Sequence, residues 1–222
     1  MSTATTSCEP YPQGIPPTSP SPRRFPVCSR WSSRARAACC CCSRSPDKPA
    51  VTGDFNPSTP ELLAGNAAFA RDFEGAGMPA APARRLAVVA CMDARIDVAR
   101  ILGLHVGEAH TIRNAGGVIT DDVIRSLCLS QRLLGTREVV LVHHTGCGLQ
   151  SLDEQRFLSE LETETGLRPS WPLEAFTDPY GNVAESMRRL HSSPFLPCKD
   201  HIRGFVYDVA DGKLHEVGAP AS

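Results

Sequence analysis

The chain has 222 residues, enough for one α/β domain or two small ones. Its formal net charge is -1, which argues against a protein that binds polyanions through its overall charge. Its longest uninterrupted apolar run, Leu86–Met92, is far shorter than the roughly 20 residues that a membrane-spanning helix needs. Six of its ten cysteines fall within the first 42 residues and the other four are scattered singly, which is not the pattern of a disulfide-rich secreted domain.

The first fifty residues differ in composition from the rest of the chain. They contain nine of the 19 prolines and nine serines, carry a charge of +5 and show no apolar periodicity. Such a segment cannot bury enough surface to offset its ordering entropy, so residues 1–50 are predicted to be a disordered extension. A solvated tail, or a start codon placed upstream of a true start near Val51, accounts for it most simply.

Other roles for the extension have less support. An organelle transit peptide would need an amphipathic helical pattern that is missing here. A metal or acyl site at Cys39–Cys42 lacks a histidine or a second spaced cysteine pair. A nucleic-acid role for the extension would rest on its +5 charge alone, and charge alone supports only nonspecific binding.

From about residue 58 the pattern becomes that of a folded domain. Ser58-Thr59-Pro60-Glu61 is typical of a helix start, and apolar residues continue to Gly75. The runs Leu86–Ala90 and Val139–Val142 are typical of strands covered on both faces. The other predicted elements, in chain order, are strand His110–Arg113, a helix capped by Thr120 and ended by Gly135, helices Leu152–Glu164 and Val183–Leu190, strand Gly204–Val209 and an edge strand Lys213–Val217. Strands alternating with helices predict an α/β domain, a parallel sheet with helices on both faces.

Both strong apolar runs lead into residues of the types that bind metals. The first passes into Cys91 and the second into His144 and Cys147. The carboxyl ends of parallel strands form the crevice where ligands bind, so these side chains are expected to meet. Two cysteines and a histidine suit Zn²⁺, and three protein ligands leave one position open, as in catalytic zinc sites.

Simpler interpretations of these residues remain open. A buried cysteine at a strand end is often only a small apolar residue, and a disulfide between Cys91 and Cys147 is possible. Cys128 and Cys198 are assigned no role. His143 would face away from His144 on a strand and is predicted to be structural.

The motif Cys91-x-Asp93-x-Arg95, followed by His144-x-x-Cys147, resembles the β-class carbonic anhydrases. Arg113-Asn114-Ala115-Gly116-Gly117 and Gly204-Phe205-Val206-Tyr207-Asp208 resemble further segments of that family. The match covers residues 58–217 and is most like the short bacterial members. The resemblance therefore implies one zinc-dependent domain over residues 58–217, with a central, mostly parallel β-sheet flanked by α-helices.

The resemblance also implies a site and a reaction. Cys91, His144 and Cys147 would hold one Zn²⁺ per subunit, with Asp93 and Arg95 as the catalytic pair. The reaction would be reversible hydration of CO₂ to bicarbonate and a proton through a zinc-bound hydroxide. The family further implies a homodimer or homotetramer, and we expect a cytoplasmic enzyme with neither membrane nor nucleic-acid partner.

Two alternatives to this function remain. A related zinc hydrolase acting on CS₂ or COS would use the same ligands, so the ligands do not separate the two activities. A non-catalytic zinc or redox-sensing protein would need no group beside an open metal position, and the Asp93–Arg95 pair argues against it. Family members occur in an open form and in a closed form with the aspartate on zinc, so Asp93 is predicted to act as a switch.

Overall fold

The computed structural model describes residues 56–218, and the predicted extension over residues 1–50 lies outside the described residues. The described residues fall into two units, 56–74 and 75–218. The first unit contains helix α1 (Thr59–Arg71), which follows Ser58 and carries a proline in its first turn, as predicted, although the Ser58 side chain does not make the expected capping hydrogen bond. The large apolar side chains of this unit are exposed; they are Leu62, Leu63, Phe69 and Phe73.

Residues 75–218 form a five-stranded sheet in the order β2-β1-β3-β4-β5. The first four strands are parallel and β5 pairs antiparallel with β4, which confirms the mostly parallel α/β fold. The strands are β1 (Leu86–Cys91), β2 (Ala109–Asn114), β3 (Glu138–His144), β4 (His201–Tyr207) and β5 (Leu214–Val217). The helices are α2 (Val98–Leu102), α3 (Asp121–Leu134), α4 (Glu154–Thr165) and α5 (Pro179–Ser192), and a 3-10 turn spans Ala115–Gly117. No helix between residues 56 and 218 combines the length and apolar character needed to cross a membrane.

Strand β1 lies in the middle of the core, and all six of its residues are buried. Ala87 and Val89 pack in a cluster with α3 and α5, whereas Val88 and Ala90 pack in a second cluster that includes Val98 of α2. This alternation shows that both faces of the sheet are covered, as the continuous apolar run predicts. Burial of each valine contributes about 1.5–3 kcal/mol relative to exposure.

Helix α3 begins and ends as predicted, and it is hydrogen-bonded to the segment that precedes β4. The Thr120 hydroxyl accepts from Val123 N at 3.4 Å, and Gly135 ends the helix with φ 73°. The buried Gln131 donates from Nε2 to the Cys198 carbonyl at 2.7 Å and accepts from Cys198 N at 3.1 Å. These two bonds fix the chain just before β4 against α3.

The structure departs from the predicted elements most clearly at three places. Helix α2 was not predicted, because five residues are too few to show a helical period, although Asp97 caps it and Gly103 ends it. Helix α5 begins at Pro179, four residues earlier than predicted, after the capping residue Asp178. Strand β4 runs over His201–Tyr207, shifted toward the N-terminus relative to the prediction, because its first residues alternate between exposed and buried positions.

Gly204 of β4 lies directly beneath helix α5. A Cβ at this position would overlap the Val183 Cγ1 atom and lie 3.1 Å from the Met187 sulfur. Because Val183 is β-branched and fully buried, it has little freedom to move away. We therefore expect Gly204→Ala to lower the free energy of unfolding by about 1–3 kcal/mol in urea titrations. Gly218→Ala, where a Cβ meets no described atom, is the matched control; equal stability of the two variants would contradict this packing.

Candidate metal centre

The candidate ligands lie at the carboxyl ends of the two central strands. β1 ends at Cys91 and β3 ends at His144, and the strands run parallel with Ala90 paired to Val142. The loop after β3 turns at Gly146, with φ 63°, and returns the chain so that Cys147 faces the same point. The ligand atoms of Cys91, His144 and Cys147 all lie within 4.8 Å of one another, and all three residues are buried. The expected meeting of these side chains is confirmed.

The geometry of this cluster fits a zinc ion. The two sulfur atoms are 3.9 Å apart. Two thiolates bound to one tetrahedral zinc, each at about 2.3 Å, would lie about 3.8 Å apart. The buried Nε2 of His144 has no hydrogen-bond partner among residues 56–218, which is costly unless that nitrogen binds a ligand.

The orientation of His144 is fixed by its other ring nitrogen. Nδ1 lies 3.0 Å from the Thr145 carbonyl, which only accepts, so Nδ1 carries the proton and Nε2 presents its lone pair to the cluster. Thr145 is itself held, since its N–H donates to Tyr207 O at 3.0 Å and its hydroxyl donates to Asp208 at 3.3 Å. The end of β4 therefore supports the ring of His144 through Thr145.

The two cysteines differ in their electrostatic surroundings. Burial raises the pKa of the Cys91 thiol, but the adjacent His144 ring and the backbone N–H groups of Asp93 and Gly116 outweigh burial and lower that pKa to about 7. Burial dominates at Cys147 and raises its pKa above the ordinary value. Cys91 is thus the more acidic of the two thiols.

Asp93 and Arg95 form a two-point ion pair beside the cluster. Arg95 donates from Nε to Asp93 Oδ1 at 2.9 Å and from Nη2 to Oδ2 at 2.8 Å, and its backbone N–H donates to Oδ1 at 2.9 Å. These bonds hold the pKa of the Asp93 carboxyl well below its usual range. The Asp93 Oδ2 atom lies 3.8 Å from His144 Nε2, so the carboxylate borders the ligand cluster while Arg95 holds it.

Arg95 also connects this pair to the loop that carries Cys147. Its Nη2 donates to the Gly146 carbonyl at 2.9 Å. The predicted pair therefore touches both segments that supply ligands.

Arg113 has a role that the sequence analysis did not assign. Its Nε donates to the Cys91 carbonyl at 2.9 Å and its Nη2 donates to the Asp93 carbonyl at 2.8 Å. One guanidinium thus fixes the backbone between a candidate ligand and the carboxylate next to it. The only signal in the sequence was the segment Arg113–Gly117, which resembled the family without indicating what the arginine binds.

His143, Cys128 and Cys198 lie outside the cluster. His143 is completely buried, and burial lowers its pKa to about 4, so the ring is neutral. Its Nε2 lies 3.1 Å from the Gly117 carbonyl. Cys198 is buried beside Arg137, and Cys128 is half-buried on α3.

Asp208, Asp211 and His215 form a second group of potential ligand atoms that the sequence analysis did not single out. Asp211 and His215 are exposed, and the Lys213 ammonium lies 3.0 Å from Asp211 Oδ2. The lysine already supplies the positive charge there. This group therefore gives no support for a second metal site.

Comparison with known proteins relates the chain to one family. A family model described as carbonic anhydrase matches residues 86–171. The β-carbonic anhydrase 1 of Mycobacterium tuberculosis (strain H37Rv) is 52% identical over 159 residues, covering 72% of this chain and 97% of that protein. A carbon disulfide hydrolase of Acidithiobacillus thiooxidans is 35% identical over 152 residues, covering 59% of this chain and 76% of that protein. A crystal structure of a carbonic anhydrase from Streptococcus mutans superposes with a TM-score of 0.69 at 39% identity, covering 74% of this chain and 99% of that one.

Proposed function

Since the chain belongs to the β-carbonic anhydrase family, we propose that it catalyses the reversible hydration of CO₂ to bicarbonate and a proton. The observation that carries this function is the buried cluster of two thiols and one imidazole with an ionised carboxylate at its edge. Three ligands leave one coordination position for chemistry, as in catalytic zinc sites. The oriented Asp93–Arg95 pair beside that position supports catalysis over metal storage, which needs no such group.

We assign the zinc ligands to Cys91, His144 and Cys147, with one ion per subunit. The 3.9 Å separation of the sulfurs, the unpartnered Nε2 and the hydrogen bond at Nδ1 support this assignment. Bound zinc would make hydroxide available near neutral pH by lowering the pKa of a water molecule. Two thiolates also neutralise the charge of the ion, which lowers the cost of burying it.

Asp93 orients the reacting hydroxide in this proposal. An ionised carboxylate only accepts hydrogen bonds, so Asp93 would accept the hydrogen bond that the hydroxide donates and would leave an oxygen lone pair free to attack the carbon of CO₂. Arg95 keeps the carboxylate ionised and fixed in direction through its two parallel hydrogen bonds. The hydrogen bond from Arg95 to the Gly146 carbonyl holds the ion pair next to the loop that carries Cys147.

A homodimer or homotetramer remains part of the proposal. The exposed Leu62, Leu63, Phe69 and Phe73 support association, because soluble monomers rarely expose several large apolar side chains together. Light scattering coupled to gel filtration would measure the assembly, and a purely monomeric protein would contradict it. We also propose a cytoplasmic location, because thiolate ligands must stay reduced to bind zinc.

Elemental analysis and stopped-flow kinetics of the full chain test the function. We expect about one zinc per chain, the stoichiometry of a single Cys₂His site, together with CO₂ hydration at neutral and mildly alkaline pH. Hydrogen sulfide release from CS₂ is measured in parallel, because a carbon disulfide hydrolase is also similar to this chain. Bound zinc without CO₂ turnover would contradict the proposal, and CS₂ hydrolysis faster than CO₂ hydration would assign the chain to the other activity.

A further inference from the structure

We propose that His143 is a positioning residue for the metal centre, acting through the Gly116–Gly117 turn on Cys91. This inference rests on the proposed zinc site. His143 is adjacent in sequence to the proposed ligand His144, yet its ring reaches a different partner. Its Nε2 lies 3.1 Å from the carbonyl oxygen of Gly117, and its side chain is fully buried. Because a carbonyl only accepts, Nε2 is the donor in this bond.

The turn that His143 holds lies directly against the first proposed ligand. A Cβ at Gly117 would lie 2.9 Å from the Cys91 nitrogen and 3.0 Å from the Ala90 carbonyl carbon. This contact is backbone against backbone, so neither side can adjust by a side-chain rotation. The position of the turn therefore constrains the backbone of Cys91.

The turn needs an external restraint to keep this position. Gly116 and Gly117 both have positive φ, at 79° and 70°, and two consecutive glycines allow many other backbone conformations. Asn114 closes the base of the turn by donating from Nδ2 to Val118 O at 2.8 Å. Within this turn, His143 holds the carbonyl of Gly117 through its hydrogen bond. The centre of the Phe176 ring lies 5.9 Å from that of the imidazole, so the phenyl ring limits how far the imidazole can tilt.

A purely structural role accounts less well for a histidine at this position. The buried Nδ1 of His143 has no hydrogen-bond partner among residues 56–218, which costs stability. An apolar side chain would avoid that cost. An apolar side chain could not donate a hydrogen bond to the Gly117 carbonyl, so this hydrogen bond is what the histidine contributes. Groups that orient metal ligands from outside the coordination shell typically change metal affinity by 10–100-fold when they are replaced, roughly the size of effect expected here.

The test compares variants of the full chain that keep or remove the donor. His143→Gln places an amide N–H near the position of Nε2, His143→Asn is one carbon shorter, and His143→Leu has no donor. Zinc affinity is measured by competition with a chromophoric chelator. The thiolate-to-metal charge-transfer bands of the Co²⁺-substituted protein report the placement of the sulfur ligands, and the melting temperature of the metal-free protein reports stability.

Gln131→Leu is the matched control. Gln131 is also a buried side chain that donates to a backbone carbonyl, that of Cys198, and Cys198 is not a proposed ligand. We expect His143→Leu and His143→Asn to bind zinc about 10–100-fold more weakly with altered Co²⁺ bands. We expect His143→Gln to keep most of the zinc affinity of the unsubstituted protein. Gln131→Leu should lower the melting temperature while leaving zinc affinity and the Co²⁺ bands unchanged.

Several results would overturn the inference. Unchanged zinc affinity and Co²⁺ bands in His143→Leu would do so. If His143→Leu fails to fold, equal zinc affinity in the Gln and Asn variants would have the same consequence. Weaker zinc binding in Gln131→Leu, to the same extent as in His143→Leu, would show that general destabilisation is responsible. Unsubstituted protein that binds no zinc would reject the metal centre itself, which separates failure of the proposed function from failure of this inference.

Discussion

Replacing Cys91 or Cys147 with serine, or His144 with alanine, is expected to remove zinc from the protein and lower kcat/KM for CO₂ hydration by more than about 100-fold. A serine hydroxyl stays protonated near neutral pH and is a poor zinc ligand, and alanine offers no donor atom. Each change leaves two ligands of the three that the buried cluster provides. Zinc per chain is measured by elemental mass spectrometry after gel filtration, and turnover by stopped-flow kinetics.

Cys128→Ser and Cys198→Ser are the matched controls for that series. Cys128 is half-buried on α3, and Cys198 is buried with its sulfur 3.6 Å from Arg137 Nη1, outside the ligand cluster. Both variants should keep zinc and activity, although Cys198→Ser buries a hydroxyl and should lose some stability. Loss of zinc from Cys128→Ser together with its retention in Cys147→Ser would show that the ligand set is wrong.

Asp93→Asn and Arg95→Ala are expected to keep zinc and to lose activity by about 100-fold or more. The amide of asparagine donates from one of the two positions at which the carboxylate accepts, so it no longer orients the hydroxide. Arg95→Ala removes the two parallel bonds that fix the carboxylate, together with the bond to Gly146. Zinc content and kcat/KM of the purified variants separate this outcome from simple loss of metal.

Arg95→Ala should inactivate the site by a different route from Asp93→Asn. The Asp93 Oδ2 atom is only 3.8 Å from His144 Nε2, so a released carboxylate is close enough to enter the ligand cluster. Crystal structures of the two zinc-loaded variants at mildly alkaline pH would show the carboxylate inside the cluster in Arg95→Ala. The neutral amide of Asp93→Asn, a weaker ligand, should stay outside.

The exposed ion pair of Asp122 and Arg125 provides the control for loss of a guanidinium. Its two side chains meet at 2.8 Å on the surface of α3. Exposed ion pairs of this kind contribute only about 0–1 kcal/mol to the free energy of unfolding. Because this pair is also outside the candidate metal centre, Arg125→Ala should leave activity unchanged. A fully active Arg95→Ala enzyme with Asp93 outside the cluster would end the idea that Asp93 acts as a switch.

The features that were predictable from the sequence are those that local pattern determines. Strands β1 and β3 are continuous apolar runs, and the step from each run to a cysteine or histidine marks the end of a strand. Parallel pairing then places those ends together, so the ligand cluster followed from topology. The helix cap at Thr120 and the stop at Gly135 depend on neighbouring residues alone and were also found.

Features that depend on distant partners were not predictable in the same way. The contacts of Arg113 with the Cys91 and Asp93 carbonyls exist only because β2 lies beside β1. The contact of His143 with Gly117 likewise joins residues 26 positions apart, and nothing in either segment indicates the other. Sequence pattern therefore located the candidate ligands, whereas the long-range contacts of Arg113 and His143 needed the assembled sheet.

The strand order has a consequence for how the protein would acquire its proposed zinc ion during synthesis. β1 and β3 are neighbours in the sheet, but the chain leaves β1, builds α2, β2 and α3, and only then returns as β3. Cys91 and Cys147 are 56 residues apart, so at about 5–20 residues per second a ribosome takes roughly 3–11 s to make the second thiol after the first. The ligand set therefore does not exist in the nascent chain until this long crossover has closed, at the entropic cost of a large loop. Unlike a zinc finger, whose closely spaced ligands allow the metal to organise folding, this chain must bring β1 and β3 together before the three proposed ligands can meet at one ion.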